Sequence, residues 1–184
     1  MDHPKRSLAA GAALALALTV AAGPAAAEGQ TPPPAPPPAA AKPAPIRFED
    51  WGLVCRVPPT GGEERCFIEQ SQMLKDGDKR VLDVVIGTFG PEGELTMVAT
   101  FPLGINLTVG AAFRIDDQPP QPIRIQQCVP VGCLGTIRLD DATLDRLRHA
   151  HHLAFAVMPF GADKTVAITA SLKGFGPALD ALKR

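Results

Sequence analysis

The chain has 184 residues with 18 Lys and Arg against 19 Asp and Glu, and this near-neutral balance excludes a strongly basic, nucleic-acid-binding surface. The outliers are 20 Pro, four Cys, three Ser, eight Phe, one Trp and no Tyr, with the Pro excess concentrated near the start. This length fits one domain and a tail.

Lys5 and Arg6 precede an apolar stretch from Leu8 to Ala22, followed by Gly23-Pro24 and the small-residue run Ala25-Ala26-Ala27. The pattern is that of a secretory signal peptide over residues 1–27, with cleavage expected after Ala27. Its apolar stretch of about 15 residues is short of the roughly 20 that span a bilayer. No cysteine precedes Cys55, so a lipid-modified cysteine at the cleavage point is not expected. The expectation is a periplasmic, outer-membrane-associated or secreted protein with no transmembrane segment after cleavage. In the expected spacer, residues 28–45, the segment from Gly29 to Pro45 holds eight Pro and a single charge, Lys42. Such a segment buries too little apolar surface to offset its ordering entropy and favours extended polyproline II. It reads as a semi-rigid spacer, either a low-complexity leader or a PxxP ligand for a partner domain.

The composition changes after Pro45, and residues 46–184 read as an all-β domain of short apolar runs separated by Gly, Pro and Asp. Trp51, Leu53, Cys55 and Val57 share one face of a first strand, and Cys66 and Ile68 one face of a second. Val81 to Phe89 is apolar on both faces, which marks a central strand. Gly90-Pro91-Glu92-Gly93 joins it to Leu95–Phe101 as a hairpin. Further strands are expected at Ala111–Ile115, Ile123–Cys128, Leu134–Leu139, Leu153–Met158 and Val166–Leu172, about nine in all. Asp140-Asp141 can cap a helix through Leu144 and Leu147 to His149, and Gly176-Pro177 can begin a last turn or two carrying Leu179 and Leu182. Strands at this density argue for an antiparallel β-sandwich with one or two short helices rather than a parallel α/β sheet.

Four cysteines in an exported chain imply two disulfides. Three connectivities are possible, and spacing favours neighbours, Cys55 with Cys66 and Cys128 with Cys133, as structural staples. A redox pair would need two intervening residues and a following helix, which neither pair has. Zinc is disfavoured because no His lies at ligand spacing from either pair.

In this order and spacing the residues resemble the invasion-associated locus B family of bacterial exported proteins. The matching features are Trp51 with Cys55, Cys66 through Gln70, Phe101-Pro102-Leu103-Gly104-Ile105-Asn106-Leu107 with Gly110, Asp116, Cys128 with Gly132-Cys133, and Leu172-Lys173-Gly174-Phe175 with Ala178-Leu179. The resemblance implies a small β-sandwich of immunoglobulin-like type and a role in the envelope or outside the cell, linked in some members to entry into host red cells. It carries over no catalytic site and no cofactor. On this reading Gly104 and Gly110 permit turns, Trp51 packs beside the first disulfide, and Phe175 places a ring beneath the final helix.

Residue chemistry points the same way. After Ala27 the only serines are Ser71 and Ser171, neither in a G-x-S-x-G elbow. His149, His151 and His152 are crowded together, but not at i, i+4 spacing, and read as a solvated cluster near a helix C-terminus rather than as a metal site. Asp116-Asp117 and Asp140-Asp141 read as turn and cap residues. Without Tyr, and with one Trp, a sugar-stacking platform is not expected, and Phe160 in Pro159-Phe160-Gly161 is the exposed-looking interaction candidate. The sequence therefore predicts a non-enzymatic binding module with an unknown envelope or host-surface protein as partner. The alternatives are an inhibitor or chaperone-like module and, less favoured, a metal-dependent periplasmic enzyme using the 149–152 histidines.

Overall fold

The computed structural model describes residues 44–58, 61–77, 79–89 and 93–183. The expected signal peptide, all but two residues of the expected spacer, and the tip of the Gly90–Gly93 turn lie outside the described residues.

Five strands follow one another as an antiparallel meander: β1 (Ile46–Phe48), β2 (Trp51–Arg56), β3 (Arg65–Met73), β4 (Arg80–Thr88) and β5 (Leu95–Phe101). The period-two pattern sets their register. Leu53 lies opposite Ile68, Ile68 opposite Ile86, and Ile86 opposite Met97, so one row of large apolar side chains crosses four strands on the inner face. Any slip by one residue would turn this row to solvent. β4, apolar on both faces in the sequence, is the fourth of seven strands and central to its sheet.

The chain then crosses to a second layer. β6 (Ala111–Ile115), β7 (Gln121–Ile123), β10 (His152–Val157) and β11 (Val166–Ser171) form a four-stranded antiparallel sheet in the order β11-β10-β6-β7. β8 (Ile125–Val129) and β9 (Gly132–Arg138) return to the first sheet, whose order becomes β1-β2-β3-β4-β5-β9-β8. Two antiparallel sheets close on a shared core in which Phe101 of one meets Phe155 of the other, ring centroids 6.0 Å apart. The protein is an all-β antiparallel sandwich with two short helices and two disulfides.

Eleven strands among the described residues replace the nine expected. β1 is too short to stand out beside the Pro-rich run. The expected strand Ile123–Cys128 is cut at Arg124: Ile123 pairs with Ala111 in the small sheet, whereas Ile125 pairs with Gly135 in the large one. Strands that change sheets bend at such corners. Gly135 makes room for this one, because a Cβ there would collide with the Ile123 side chain. Pro122, which cannot donate to a ladder, sits in the edge strand β7.

α1 (Asp141–His149) begins where Asp140 accepts a hydrogen bond from the Thr143 N–H at 2.8 Å, and Arg146, Arg148 and His149 occupy its last turn. α2 (Phe175–Leu182) starts one residue before the expected Gly176. Gly174 precedes it because the Phe48 carbonyl lies where a Cβ would project. Trp51 does not pack beside the Cys55–Cys66 disulfide. Its ring meets Phe175 edge-on at 5.3 Å, and its Nε1 donates to the Ser171 carbonyl at 2.9 Å. Cys55 lies four residues further along β2, roughly 13 Å away at strand rise, and α2 folds back over the near end.

Candidate functional site

Each disulfide joins residues that face each other across a strand pair. Cys55 and Cys66 are register partners in β2 and β3, and Cys128 and Cys133 in β8 and β9, with Cα atoms 4.0 Å and 3.9 Å apart. Glu64 lies close to the Cys55 and Cys66 sulfurs, but these are bonded to each other and have no thiolate to offer a metal.

The histidines divide between two tasks. His149 Nδ1 lies 2.8 Å from the Asp145 carbonyl within α1. The backbone N–H groups of His151 and His152 both donate to the Asp116 carboxylate, at 3.1 Å and 2.8 Å. Asp116 follows β6 directly at φ 45°, in the left-handed region that Asp tolerates better than most residues. Its carboxylate is thus occupied in pinning the loop between α1 and β10. The His151 and His152 rings are 6.4 Å apart, and among the described residues no set of three metal-ligating atoms includes them.

An open cleft of about 460 Å³ brings His151 and His152 together with Ser71, Ser171 and Lys173. The polar contacts of the two serines lead elsewhere. The Ser71 hydroxyl donates to Asp83, and the Ser171 hydroxyl accepts from the Lys173 N–H at 3.2 Å. The nucleophile–base hydrogen bond that would activate a serine is not formed by these contacts.

The strongest surface feature lies at the opposite end of the small sheet. Residues 102–110 carry the chain from β5 to β6, and residues 158–165 connect β10 to β11. Ile105 bridges Pro159, the Asn106 N–H donates to the Met158 carbonyl, and the Phe160 N–H donates to the Gly104 carbonyl, the last two at 2.7 Å. The Asn106 side chain also accepts from the Thr108 N–H at 3.1 Å, turning the longer loop back on itself, with Gly104 and Gly110 both at positive φ as expected of turns. Two loops are laced into one piece, and it exposes Phe160 (81%), Leu107 (58%), Leu103 (57%) and Val109 (56%). Val131, 66% exposed, tips the β8–β9 hairpin, whose Gly132 abuts the Phe101 carbonyl at the root of the longer loop.

No Asp, Glu, Lys, Arg or His occurs in 95–113, 125–137 or 153–162, and the charges nearest Phe160 in the sequence are Asp163 and Lys164, later in the same loop. Single exposed apolar residues are ordinary, whereas several held together on laced loops make a candidate contact surface. Sequence reading singles out Phe160 alone; Leu103, Leu107, Val109 and Val131 are missed because their exposure depends on how loops far apart in sequence fold. The shared scarcity of charge around Leu103–Val109, Val131 and Phe160 is the signal that points to them.

Comparison with known proteins agrees with this architecture. The family model described as invasion associated locus B protein matches residues 51–183. Two relatives, the invasion protein B homologs of Brucella abortus strain 2308 and of its biovar 1 strain 9-941, are each 27% identical over 136 residues, covering 74% of this chain and 77% of theirs. The crystal structure of invasion associated protein B from Bartonella henselae superposes with a TM-score of 0.66 at 22% identity, over 76% of this chain and 94% of that one, a likeness of fold. The chain belongs to the invasion associated locus B family.

Proposed function

We propose that the protein is an exported, non-enzymatic binding module of the bacterial envelope, and that the apolar crest formed by Leu103, Leu107, Val109, Val131 and Phe160 is its contact surface. In this reading residues 1–27 are removed on export, residues 28–45 tether the module, and residues 46–184 fold as the domain. Two disulfides support an oxidising compartment. The relatives named as invasion proteins support a role at the cell surface or in host contact. The single observation that carries the proposal is the lacing of two separated loops by backbone hydrogen bonds into one piece that exposes four large apolar side chains.

Cell fractionation tests it. The exported protein should be retained with envelope or host-cell membranes, and the variant L107D/F160D, which alters two exposed side chains, should pass into the soluble fraction with its thermal melt unchanged. Cytoplasmic retention of the wild type, or equal retention of wild type and variant, would overturn the reading.

A further inference from the structure

We infer that the protein self-associates edge to edge, β11 of one copy adding antiparallel to β11 of a second copy, so that the two small sheets become one. The sheets of one copy have four edge strands, β1 and β8 in the large sheet, β11 and β7 in the small one. Three are guarded in the ways that keep edges from pairing. β1 and β7 have three residues each, the first beside Pro45 and carrying Arg47, the second containing Pro122. β8 shifts register between Ile125 and Gln127. β11 has none of these devices. It pairs with β10 along its whole length without a shift, and no charge, Pro or Gly occurs between Lys164 and Lys173.

The open side of β11 is defined residue by residue. Gln70 bonds both the N–H and the C=O of Ser171, so these groups point away from β10. Alternation along the strand then turns the same groups of Thr169, Ala167 and, one step before the strand, Thr165 to that side. The carbonyl of His152, opposite Ser171, is bonded by the Asp116 N–H on the far side of β10, as this alternation requires. Ala167 and Thr169 are exposed, and among the described residues nothing bonds their outward groups. The Gln70 amide closes the edge at Ser171, and the chain bends at Asp163-Lys164, which leaves 165–169 open, centred on Ala167.

A second copy is the occupant this stretch fits, because the stretch is its own complement. A two-fold axis at Ala167 sets Ala167 opposite itself and Thr165 opposite Thr169, and every outward N–H and C=O of the three residues gains a partner. The same axis sets Val166 opposite Ile168. Val166 is 48% exposed in a single copy, and these two β-branched side chains would cover each other on the inner face. Lys164 and Asp163 fall opposite Ala170 and Ser171, so no like charges are opposed. Moving the axis to Ile168 or Thr169 would set Thr165 or Ala167 of the second copy against Ser171, where Gln70 already lies. Ala167 is not part of the crest, and the inference stands apart from the crest's role as contact surface.

Sedimentation equilibrium of the protein purified after export, followed from micromolar to millimolar concentration, tests this. Wild type should show a reversible equilibrium between monomer and dimer. A167P should raise the dissociation constant roughly a hundredfold, since it deletes two hydrogen bonds across the axis at about tenfold each. Its pairing with β10 is kept, because the Ala167 N–H points outward and edge strands accept Pro on that side. A167K, which sets like charges against each other on the axis, should weaken the dimer as well and serves if the proline variant melts low. Oxidation of A167C should cross-link two copies, since a hydrogen-bonded antiparallel pair places its Cα atoms about 5.5 Å apart, within disulfide reach. T169C alone should not cross-link, whereas T169C mixed with T165C should. A wild type that stays monomeric throughout, a dimer unchanged by A167P and A167K, or T169C that cross-links to itself as readily as A167C would overturn the proposal.

Discussion

The side-chain amide of Gln70 pairs with the backbone of Ser171 in both directions: its Nε2 donates to the Ser171 carbonyl at 3.0 Å, and its Oε1 accepts from the Ser171 N–H at 2.9 Å. Ser171 ends β11, an edge strand of the small sheet, and Gln70 lies in β3 of the large one. The amide stands in for a missing neighbour strand and ties the two layers together. Trp51 Nε1 donates to the same carbonyl. Replacing Gln70 by Leu leaves the Ser171 N–H without its acceptor, and urea unfolding should show a loss of roughly 1–3 kcal/mol. The Trp51→Phe change alone should cost less, because Gln70 still serves the carbonyl. The double variant should lose more than the sum of the two, since the carbonyl then has neither donor.

A second prediction concerns Phe175, which is buried against Trp51 at the start of α2. Truncation to Ala opens a cavity between helix and sheet, and the expected loss is about 3–5 kcal/mol. The melting temperature should fall, and the Trp51 fluorescence of the native state should shift to the red as water reaches the indole. An unchanged spectrum would contradict the placement of the ring.

The two disulfides should differ in their contribution. The chain-entropy account gives about 3 kcal/mol for the ten-residue loop closed by Cys55 and Cys66, and about 2 kcal/mol for the four-residue loop closed by Cys128 and Cys133. Denaturation of C55S/C66S and C128S/C133S should therefore rank the first as the less stable. The reverse order would mean that the staple beside Phe101 serves packing more than entropy.

Asp140 gives a pH signature. Hydrogen bonds from the Thr143 side chain and N–H hold its carboxyl below the ordinary carboxylate range. A depressed folded-state pKa contributes stability that is fully present above the unfolded-state value and is lost as pH falls through the folded-state value. The wild-type melt should therefore decline more steeply below about pH 4 than that of D140N, which keeps a capping oxygen but does not titrate. Parallel acid limbs for the two proteins would show that the cap contributes nothing to the pH dependence.

Much of this fold is legible in the sequence because period-two alternation survives wherever one face of a strand is buried. The central place of β4 follows from Val81, Leu82, Val84 and Val85, and the start of α1 from Asp140. The division at Arg124 is not legible, because Ile123 and Ile125 alternate correctly for one strand and only Gly135, on another strand, permits the crossing. The position of Trp51 is missed for a similar reason: its partners Phe175 and Ser171 are more than a hundred residues away. The candidate surface is half legible. Phe160 stands out between Pro159 and Gly161, but its union with Leu103, Leu107 and Val109 depends on backbone hydrogen bonds between segments some fifty residues apart.

Site-specific photocrosslinking tests the central claim most directly. A benzophenone side chain placed at Phe160 in the exported protein should label a discrete envelope or host-surface partner in intact cells. The same group at Asp145, exposed on α1 at the far end of the small sheet, should not. Equal labelling from the two positions, or none from Phe160, would contradict the assignment of the crest as the contact surface.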